Sequence, residues 1–246
     1  MHSHTAVSTS HSPAILHAPH VEASPNLKDL FKGQPTEMLP RGAALFWEGD
    51  KAGQIFDVLE GVMRIYRIMP DGRRAVMGFI HPGDVLGVSF QDRYLFTAEA
   101  VTPVKVRRFA RGRFFTVINE SPALRPQLFA ILCDEMSAAQ DQMLLLGRKT
   151  AEERVVSFLL AIRRKTAQRE EIELPMSRQD IADYLGLTIE TVSRTMTSLT
   201  RRGLIASRAR QTVTLRKLSA LREIAGGDDD GMAQPAVPLR RAVWPN

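Results

Sequence analysis

Four side chains in the C-terminal third of the chain, Ile189, Glu190, Ser193 and Arg194, have the spacing of one face of an α-helix. An arginine fork matches the O6 and N7 acceptors of guanine, and a carboxylate accepts a hydrogen bond from the cytosine amino group. A hydroxyl group bonds to several bases, and an isoleucine side chain can contact a thymine methyl group. Together on one face, these residues predict a surface that reads base edges in the DNA major groove.

Two short helices joined by a tight turn are needed to present this face. Ser177 begins the first helix as its N-cap, and Asp180 follows three positions later, as in a capping box. Gly186 ends that helix, because glycine tolerates the left-handed backbone conformation found there, and Thr188 caps the second helix. The pattern predicts a helix-turn-helix whose second helix enters the groove with its N-terminus first.

Apolar residues at helical spacing give both helices a face to bury. They are Ile181, Tyr184 and Leu185 in the first helix, and Val192, Met196 and Leu199 in the second. For Glu190 and Arg194 taken alone, a second interpretation stays open. An i,i+4 ion pair of this kind is common on the exposed surface of any amphipathic helix.

The sequence DIADYLGLT followed by ETVSR resembles the cyclic-AMP receptor protein/FNR family of bacterial transcription regulators. The E-x-x-S-R form is similar to its FNR and FixK branches, in which the matching Glu, Ser and Arg contact a TTGAT half-site. The resemblance implies that Glu190, Ser193 and Arg194 contact DNA, and the neighbouring Thr188, Ile189 and Thr191 complete the expected DNA-contacting set. It also implies a dimer that contacts RNA polymerase and activates genes for low-oxygen life. A ligand-gated repressor of the same fold is the alternative, because the polymerase-contacting surface has no motif of its own.

Positive charge is concentrated beside the predicted helix-turn-helix. The 246-residue chain has a net charge of +6 and a pI near 9.8. Residues 177–217 contain eight Arg or Lys residues against three acidic ones. Residues 203–205 and 212–215 are expected to form the strands of a wing, with Arg208 in the intervening loop contacting phosphate. Charged runs are often plain solvated faces, but beside this motif they indicate double-stranded DNA as the partner.

Other bulk features indicate a soluble, cytoplasmic protein without membrane contact. The single cysteine, Cys133, cannot form an internal disulfide, and we expect it to be a small buried apolar residue rather than a sensor. No apolar run approaches the ~20 residues that a membrane span needs. Residues 1–26, which hold five of the six histidines, and residues 226–246 lack a core pattern. Both are expected to be flexible tails, since the histidine spacing is too irregular to favour a metal site.

Between residues 27 and 118, short apolar runs alternate with turn signals such as Asp71-Gly72 and Pro82-Gly83. This pattern predicts a β-sandwich, jelly roll or barrel, and residues 45–65 also resemble the family's cyclic-nucleotide-binding-like β-roll. Cyclic-nucleotide binders of the family carry a Gly-Glu pair and an Arg-Ser/Thr pair. Here Gly87 is followed by Val88, and Thr97 is preceded by Phe96, so a buried cyclic phosphate would lack its cation.

The chain also lacks the residues for other cofactors. One cysteine cannot supply the thiolates of an iron–sulfur cluster. His81 is the one histidine of the β-roll, and its neighbouring Pro82-Gly83 turn disfavours a role as haem ligand. A metal-dependent cupin enzyme, the non-regulatory alternative, needs several clustered ligands. We therefore expect no enzymatic activity, no cofactor and no bound metal.

A long helix is predicted over residues 119–147, with Gly147 at its end, because apolar residues recur there every three or four positions. Its seam for pairing with a second copy is expected to comprise Leu128, Leu132, Met136, Ala139 and Met143. Packing on its own β-roll alone is the alternative. The expected fold is α+β: a β-roll (27–118), a dimerisation helix (119–147) and a winged helix-turn-helix (148–225).

Overall fold

The computed structural model describes residues 26–88, 91–166, 169–207 and 211–227. Residues 1–25 and 228–246 of the expected tails lie outside these ranges. So does the loop 208–210, which carries Arg208. Within the described ranges no helix is long and apolar enough to cross a membrane.

The N-terminal half consists of eight strands in two antiparallel sheets. The strands are β1 (Thr36–Leu39), β2 (Ala44–Phe46), β3 (Gln54–Glu60), β4 (Met63–Ile68), β5 (Arg74–Ile80), β6 (Val85–Leu86), β7 (Thr97–Ala100) and β8 (Val104–Ala110). One sheet has the order β1-β8-β3-β6 and the other β2-β7-β4-β5. Phe56 and Val106 from the first sheet pack with Phe46 and Met63 from the second in one core. The predicted β-roll is thus confirmed.

The predicted hairpin at Asp71-Gly72 joins β4 to β5. Gly72 has a φ of +83°, which glycine adopts without steric cost. Its amide donates to the Met69 carbonyl at 2.9 Å, and the Met69 amide donates to the Arg73 carbonyl at 2.8 Å. The hairpin thereby fixes the register in which Ile68 faces Arg74.

Six α-helices follow a short 3-10 helix (Leu27–Phe31) in the described chain. They are α1 (Arg111–Glu120), α2 (Arg125–Arg148), α3 (Ala151–Lys165), α4 (Arg178–Leu185), α5 (Ile189–Arg201) and α6 (Leu218–Ile224). The prediction that Gly147 ends the long helix is wrong. Helix α2 continues to Arg148 and stops because Lys149 and Thr150 turn to extended backbone, where Thr150 caps α3 in a capping box with Glu153.

The two ends of α2 have different surroundings. Leu124 and Leu128 are 2% and 7% exposed and pack against Phe31 and Phe114 of the same chain. Leu128 therefore lies within its own fold rather than on the exposed seam predicted for it. Beyond Leu128 the helix is largely exposed, and so is Cys133, which was expected to be buried.

The C-terminal region is a winged helix-turn-helix built on α3 to α6. Its three-stranded sheet has the order β10-β11-β9, with β9 (Glu171–Glu173), β10 (Ile205–Ser207) and β11 (Thr212–Leu215). The two predicted wing strands are present, although β10 begins only at Ile205 because Gly203, with a φ of +67°, forms the turn after α5. The third strand, β9, was not predicted from the sequence.

A single apolar core joins the β-roll to the winged region. Phe79 of β5 lies 6.2 Å from Phe158 of α3 and 5.5 Å from Tyr184 of α4, measured between ring centroids. Tyr66 and Val76 of the β-roll belong to the same cluster. Helix α4 is therefore packed on the β-roll as well as on its own domain.

Candidate nucleic-acid interface

Local hydrogen bonds fix both ends of α4 as the sequence predicts. The Asp180 amide donates to Ser177 Oγ at 3.0 Å, and the Ser177 amide donates to Asp180 Oδ2 at 3.0 Å, which completes the capping box. Gly186 takes the left-handed conformation with a φ of +61°, and the Leu187 amide then donates to the Ala182 carbonyl at 3.0 Å. The tight turn that aims α5 is thus set by residues close together in sequence.

Helix α5 presents the predicted reading face to solvent. Val192, Met196 and Leu199 are at most 7% exposed and anchor its inner side. Ile189, Glu190, Ser193 and Arg194 are all exposed on the opposite side. This arrangement leaves the outer face of the first two turns free to enter a groove.

Thr188 and Thr191, the two threonines of the predicted DNA-contacting set, form hydrogen bonds at the N-terminus of α5. Thr188 Oγ1 accepts a hydrogen bond from the Thr191 amide at 3.2 Å and lies 3.0 Å from Thr191 Oγ1. Thr188 is exposed and Thr191 half-buried. Both lie at the helix end that would face the groove, where the capping role holds their hydroxyl groups in place.

The surface ion pair considered for Glu190 and Arg194 is not formed. In the described part of the chain, neither side chain has a hydrogen bond or salt bridge to another residue. An unpaired carboxylate and an unpaired guanidinium on one exposed face remain available to an outside partner. Their chemistry suits cytosine and guanine edges respectively.

Two of the three acidic residues in 177–217 are neutralised from outside the winged region. Asp180 is paired with Arg64 and Arg74, and Asp183 is paired with Arg74. Their negative charge is therefore offset beside a surface that must approach phosphate. The third acid, Glu190, lies on the reading face itself. Sequence patterns did not identify Arg64 or Arg74, since their partners lie more than 100 positions away.

A cationic cleft at the start of α4 was not predicted from the sequence. A cleft of about 610 Å³ is lined by Arg41 of the β1–β2 turn, Arg178 of α4 and Ser207 of β10, among others. Burial lowers the pKa of the Arg178 guanidinium below its usual value. Among the described residues no carboxylate pairs with Arg178. An unpaired, half-buried guanidinium at this position suits an anion such as a DNA phosphate.

Aromatic rings pack closely in the interior of the β-roll. Phe46 and Tyr94 stack with ring centroids 3.7 Å apart, and Phe56 lies 5.8 Å from Phe46. Thr97, at the position of the family's Ser or Thr, is 5% exposed and accepts a hydrogen bond from the Glu48 amide. Together with Leu86, Ala98 and Val104, these rings belong to one buried apolar cluster between the two sheets.

No group of three or more His, Cys, Asp or Glu side chains comes together in residues 26–88, 91–166, 169–207 and 211–227. His81 is mostly buried at the end of β5, and its amide donates to Asp84 Oδ2 at 2.9 Å. The N-terminal histidines lie outside the described residues.

A β-roll joined by a long helix to a winged helix-turn-helix with an exposed reading face defines a DNA-binding transcription regulator. Two family models match in agreement with this fold: a cyclic nucleotide-binding domain over residues 36–121 and a Crp-like helix-turn-helix domain over residues 153–224. The chain belongs to the CRP/FNR family, in its FixK-like branch. Membership places it among regulators rather than cupin-type enzymes.

Individual relatives agree with this placement. The nitrogen fixation regulation protein FixK of Bradyrhizobium diazoefficiens is 48% identical over 169 residues, which cover 67% of this chain and 71% of that protein. The transcriptional activatory protein AadR of Rhodopseudomonas palustris is 48% identical over 166 residues, covering 66% and 70%. The structure of FixK2 from Bradyrhizobium japonicum is similar with a TM-score of 0.75 and 35% identity, covering 78% of this chain and 96% of that one.

Proposed function

We propose that the protein is a homodimeric transcription activator of genes for low-oxygen metabolism that binds a TTGAT-type palindrome without a small-molecule cofactor. The observation that carries this proposal is the reading face of α5, where Glu190, Ser193 and Arg194 are exposed and the two charged side chains have no partner in the described chain. The sequence pattern E-x-x-S-R is typical of the FNR and FixK branches, and it supports TTGAT as the half-site sequence. Direct contact with RNA polymerase is part of the proposal.

The dimer is proposed to form through the exposed part of α2. Phe129, Met136 and Met143 are 66%, 59% and 72% exposed and recur every seven residues. With the residues between them, they make a seam at alternating three- and four-residue intervals: Phe129, Leu132, Met136, Ala139, Met143 and Leu146. Leu132 is half-buried, because it also packs at the edge of its own core. Such spacing is typical of coiled-coil pairing. We thus replace Leu128 in the sequence-derived seam with Phe129.

A two-fold axis along this seam would place the two α5 helices in successive major grooves, about 34 Å apart. Activation rather than repression of transcription is supported by relatives that are themselves named activators, AadR among them. A repressor of the same fold would bind the same kind of site and lower transcription. Mapping bound sites on the chromosome, together with transcript levels in a deletion strain, tests the site sequence and the sign at once.

Replacing Arg194 by Ala tests the reading face. We expect a loss of about 1–3 kcal/mol on the palindrome and weaker discrimination at one base pair, because the guanidinium fork would contact a guanine edge. The matched control is Arg201→Ala, two turns further along α5 at the end away from the groove. It removes the same charge outside the reading face, so discrimination between cognate and mismatched duplexes should be unchanged.

The measurement is the Kd of each variant for cognate, single-mismatch and random duplexes over a salt series. Arg208→Ala, in the wing loop, is expected to behave like a phosphate contact and lower the salt slope by about one. If Arg194→Ala weakens cognate and random binding equally, Arg194 is a phosphate contact and the assigned reading face is wrong.

A further inference from the structure

Charged side chains of the β-roll and α4 form one continuous network. Arg64 in β4 donates through Nη1 to Asp180 Oδ1 at 2.9 Å and pairs through Nη2 with Glu99 Oε1 at 2.5 Å. Arg74 in β5 donates through Nη2 to Asp180 Oδ1 at 2.6 Å and through Nε to Asp183 Oδ2 at 2.9 Å. We call the set Glu99, Arg64, Asp180, Arg74 and Asp183 the α4 clamp.

The α4 clamp is largely withdrawn from water, since its five side chains are between 3% and 23% exposed. Both arginines also lie against the ring of Tyr66, with Cζ-to-centroid distances of 5.9 Å for Arg64 and 5.6 Å for Arg74. The Tyr66 hydroxyl donates to Glu99 Oε2 at 3.0 Å. Buried ion pairs contribute little stability relative to apolar side chains, but they can enforce one specific geometry.

The C-terminal end of α4 accepts hydrogen bonds from side chains of α2 and α3. Arg154 of α3 donates to the Leu185 carbonyl at 3.0 Å and to the Leu146 carbonyl at 2.8 Å. Gln142 of α2 donates to the Tyr184 carbonyl at 2.8 Å. Helix α4 is therefore connected to the β-roll at its N-terminal end and to the proposed dimerisation helix at its C-terminal end.

We propose that the α4 clamp fixes the angle between α2 and the recognition helix α5 and so sets the half-site spacing that the dimer accepts. This inference rests on the proposed dimeric, palindrome-binding function. Arg64, Arg74 and Glu99 are positioning residues that act through α4. A rigid link between the two-fold axis and each α5 restricts the dimer to one separation of grooves. If α4 could pivot, each α5 would reach a range of separations.

Arg74→Gln is the main test, because it removes the links to both Asp180 and Asp183. Asp183→Asn is a second, milder variant that keeps the shape of the side chain and weakens one link. The matched control is Arg73→Gln, which loses the same charge one residue away. Arg73 is 82% exposed and pairs with Asp71 within the hairpin. Thermal unfolding is measured for each variant as the control for correct folding.

The measurement is the Kd for palindromes whose central spacer is natural, one base pair shorter or one longer, and for a duplex with a single half-site. Wild type and Arg73→Gln should discriminate between spacers. Arg74→Gln should lose on the order of tenfold in that discrimination while its half-site affinity changes little. Arg74→Lys should be intermediate, because an ammonium lacks the fork that bridges two carboxylates.

A merely structural or electrostatic role predicts a different pattern. If Arg74→Gln and Asp183→Asn weaken binding to all spacers by one common factor, or leave spacer discrimination intact, the clamp does not set spacing. If wild type binds no palindrome above random DNA, the proposed function itself is wrong. The two failures are thus distinguishable in one experiment.

Discussion

At the scale of single residues, Asp180 has two roles on two different oxygens. Oδ2 accepts from the amide and the hydroxyl of Ser177, at 3.0 and 2.7 Å, and so begins α4. Oδ1 accepts from the guanidinium groups of Arg64 and Arg74. One carboxylate therefore joins the start of the helix-turn-helix to the β-roll. Replacing Asp180 would disturb both functions, whereas Arg74→Gln and Asp183→Asn leave the capping carboxylate in place.

His81 provides a prediction about pH at this scale. Burial, together with the nearby charge of Lys165, lowers the pKa of His81 to about 4, and Asp84 opposes the shift. Nε2 is buried and has no hydrogen-bond partner in the described chain. As pH falls from about 6.5 towards 4, the unfolded chain takes up a proton at this site before the folded chain does. The free energy of unfolding should then fall by about 2–3 kcal/mol relative to its value at neutral pH.

The comparison that isolates this effect is urea unfolding of wild type and His81→Gln at several pH values from 7 to 4.5. Carboxylates titrate in both proteins, so only the difference between the two curves reports on His81. The difference between the free energies of unfolding of the two proteins should change steadily as pH falls below 6.5. Parallel curves would show that His81 contributes nothing to the pH dependence of stability.

At the scale of elements, α2 divides its length between two tasks. Its first turn packs on its own β-roll through Leu124 and Leu128. Most of the rest of this 24-residue helix projects from that core with a row of apolar side chains exposed. Large apolar side chains in a row of this length indicate a surface that a partner covers. A second copy of the same helix is the partner that the heptad spacing favours.

Replacing both Leu132 and Met136 by Glu should convert the dimer to monomers. Dimerisation would bury two carboxylates from each subunit in an apolar seam, which is strongly unfavourable. The control, Ala130→Glu with Ala138→Glu, places the same charges on exposed positions of α2 away from the seam. Sedimentation at micromolar concentration distinguishes the states. A doubly substituted Leu132/Met136 protein that remains dimeric would place the interface elsewhere.

At the scale of the whole molecule, the β-roll and the DNA-binding region share one packed core. In the β-roll itself, aromatic rings such as Phe46, Phe56 and Tyr94 occupy the interior. A filled roll that is rigidly joined to α4 suits a regulator whose DNA-binding form does not depend on an added effector.

We therefore predict that purified protein binds the TTGAT-type palindrome in air and without cyclic AMP. One reason is the aromatic packing of the β-roll interior, and a second is that Val88 and Phe96 stand where the family's cyclic-nucleotide binders carry Glu and Arg. In addition, Ser177 at the start of the helix-turn-helix offers no thiol to oxidise. Binding is measured with and without cyclic AMP on cognate and scrambled duplexes. A large gain in affinity with the nucleotide would contradict the prediction. Iron or haem bound stoichiometrically and required for binding would also do so.

Features that depend on neighbours in sequence could be predicted from the sequence alone. Ser177, Gly186 and Thr188 determine where α4 and α5 begin and end, because caps and a left-handed glycine act within four residues. The reading face of α5 follows from helical spacing, and the Asp71-Gly72 hairpin from turn chemistry. Family resemblance in the same residues indicated the regulator class. These are local preferences, so no knowledge of the tertiary structure was needed.

Only the tertiary structure decided which side of α2 faces its own core. Leu128 and Phe129 are both apolar and adjacent, and helical spacing allows either to be buried; the packing of α1 and the 3-10 helix buries Leu128 and leaves Phe129 exposed. The α4 clamp could not be predicted from the sequence either, because Arg64 and Asp180 are 116 positions apart. Contacts between such distant residues depend on how complete elements pack, and sequence periodicity carries no information about that packing.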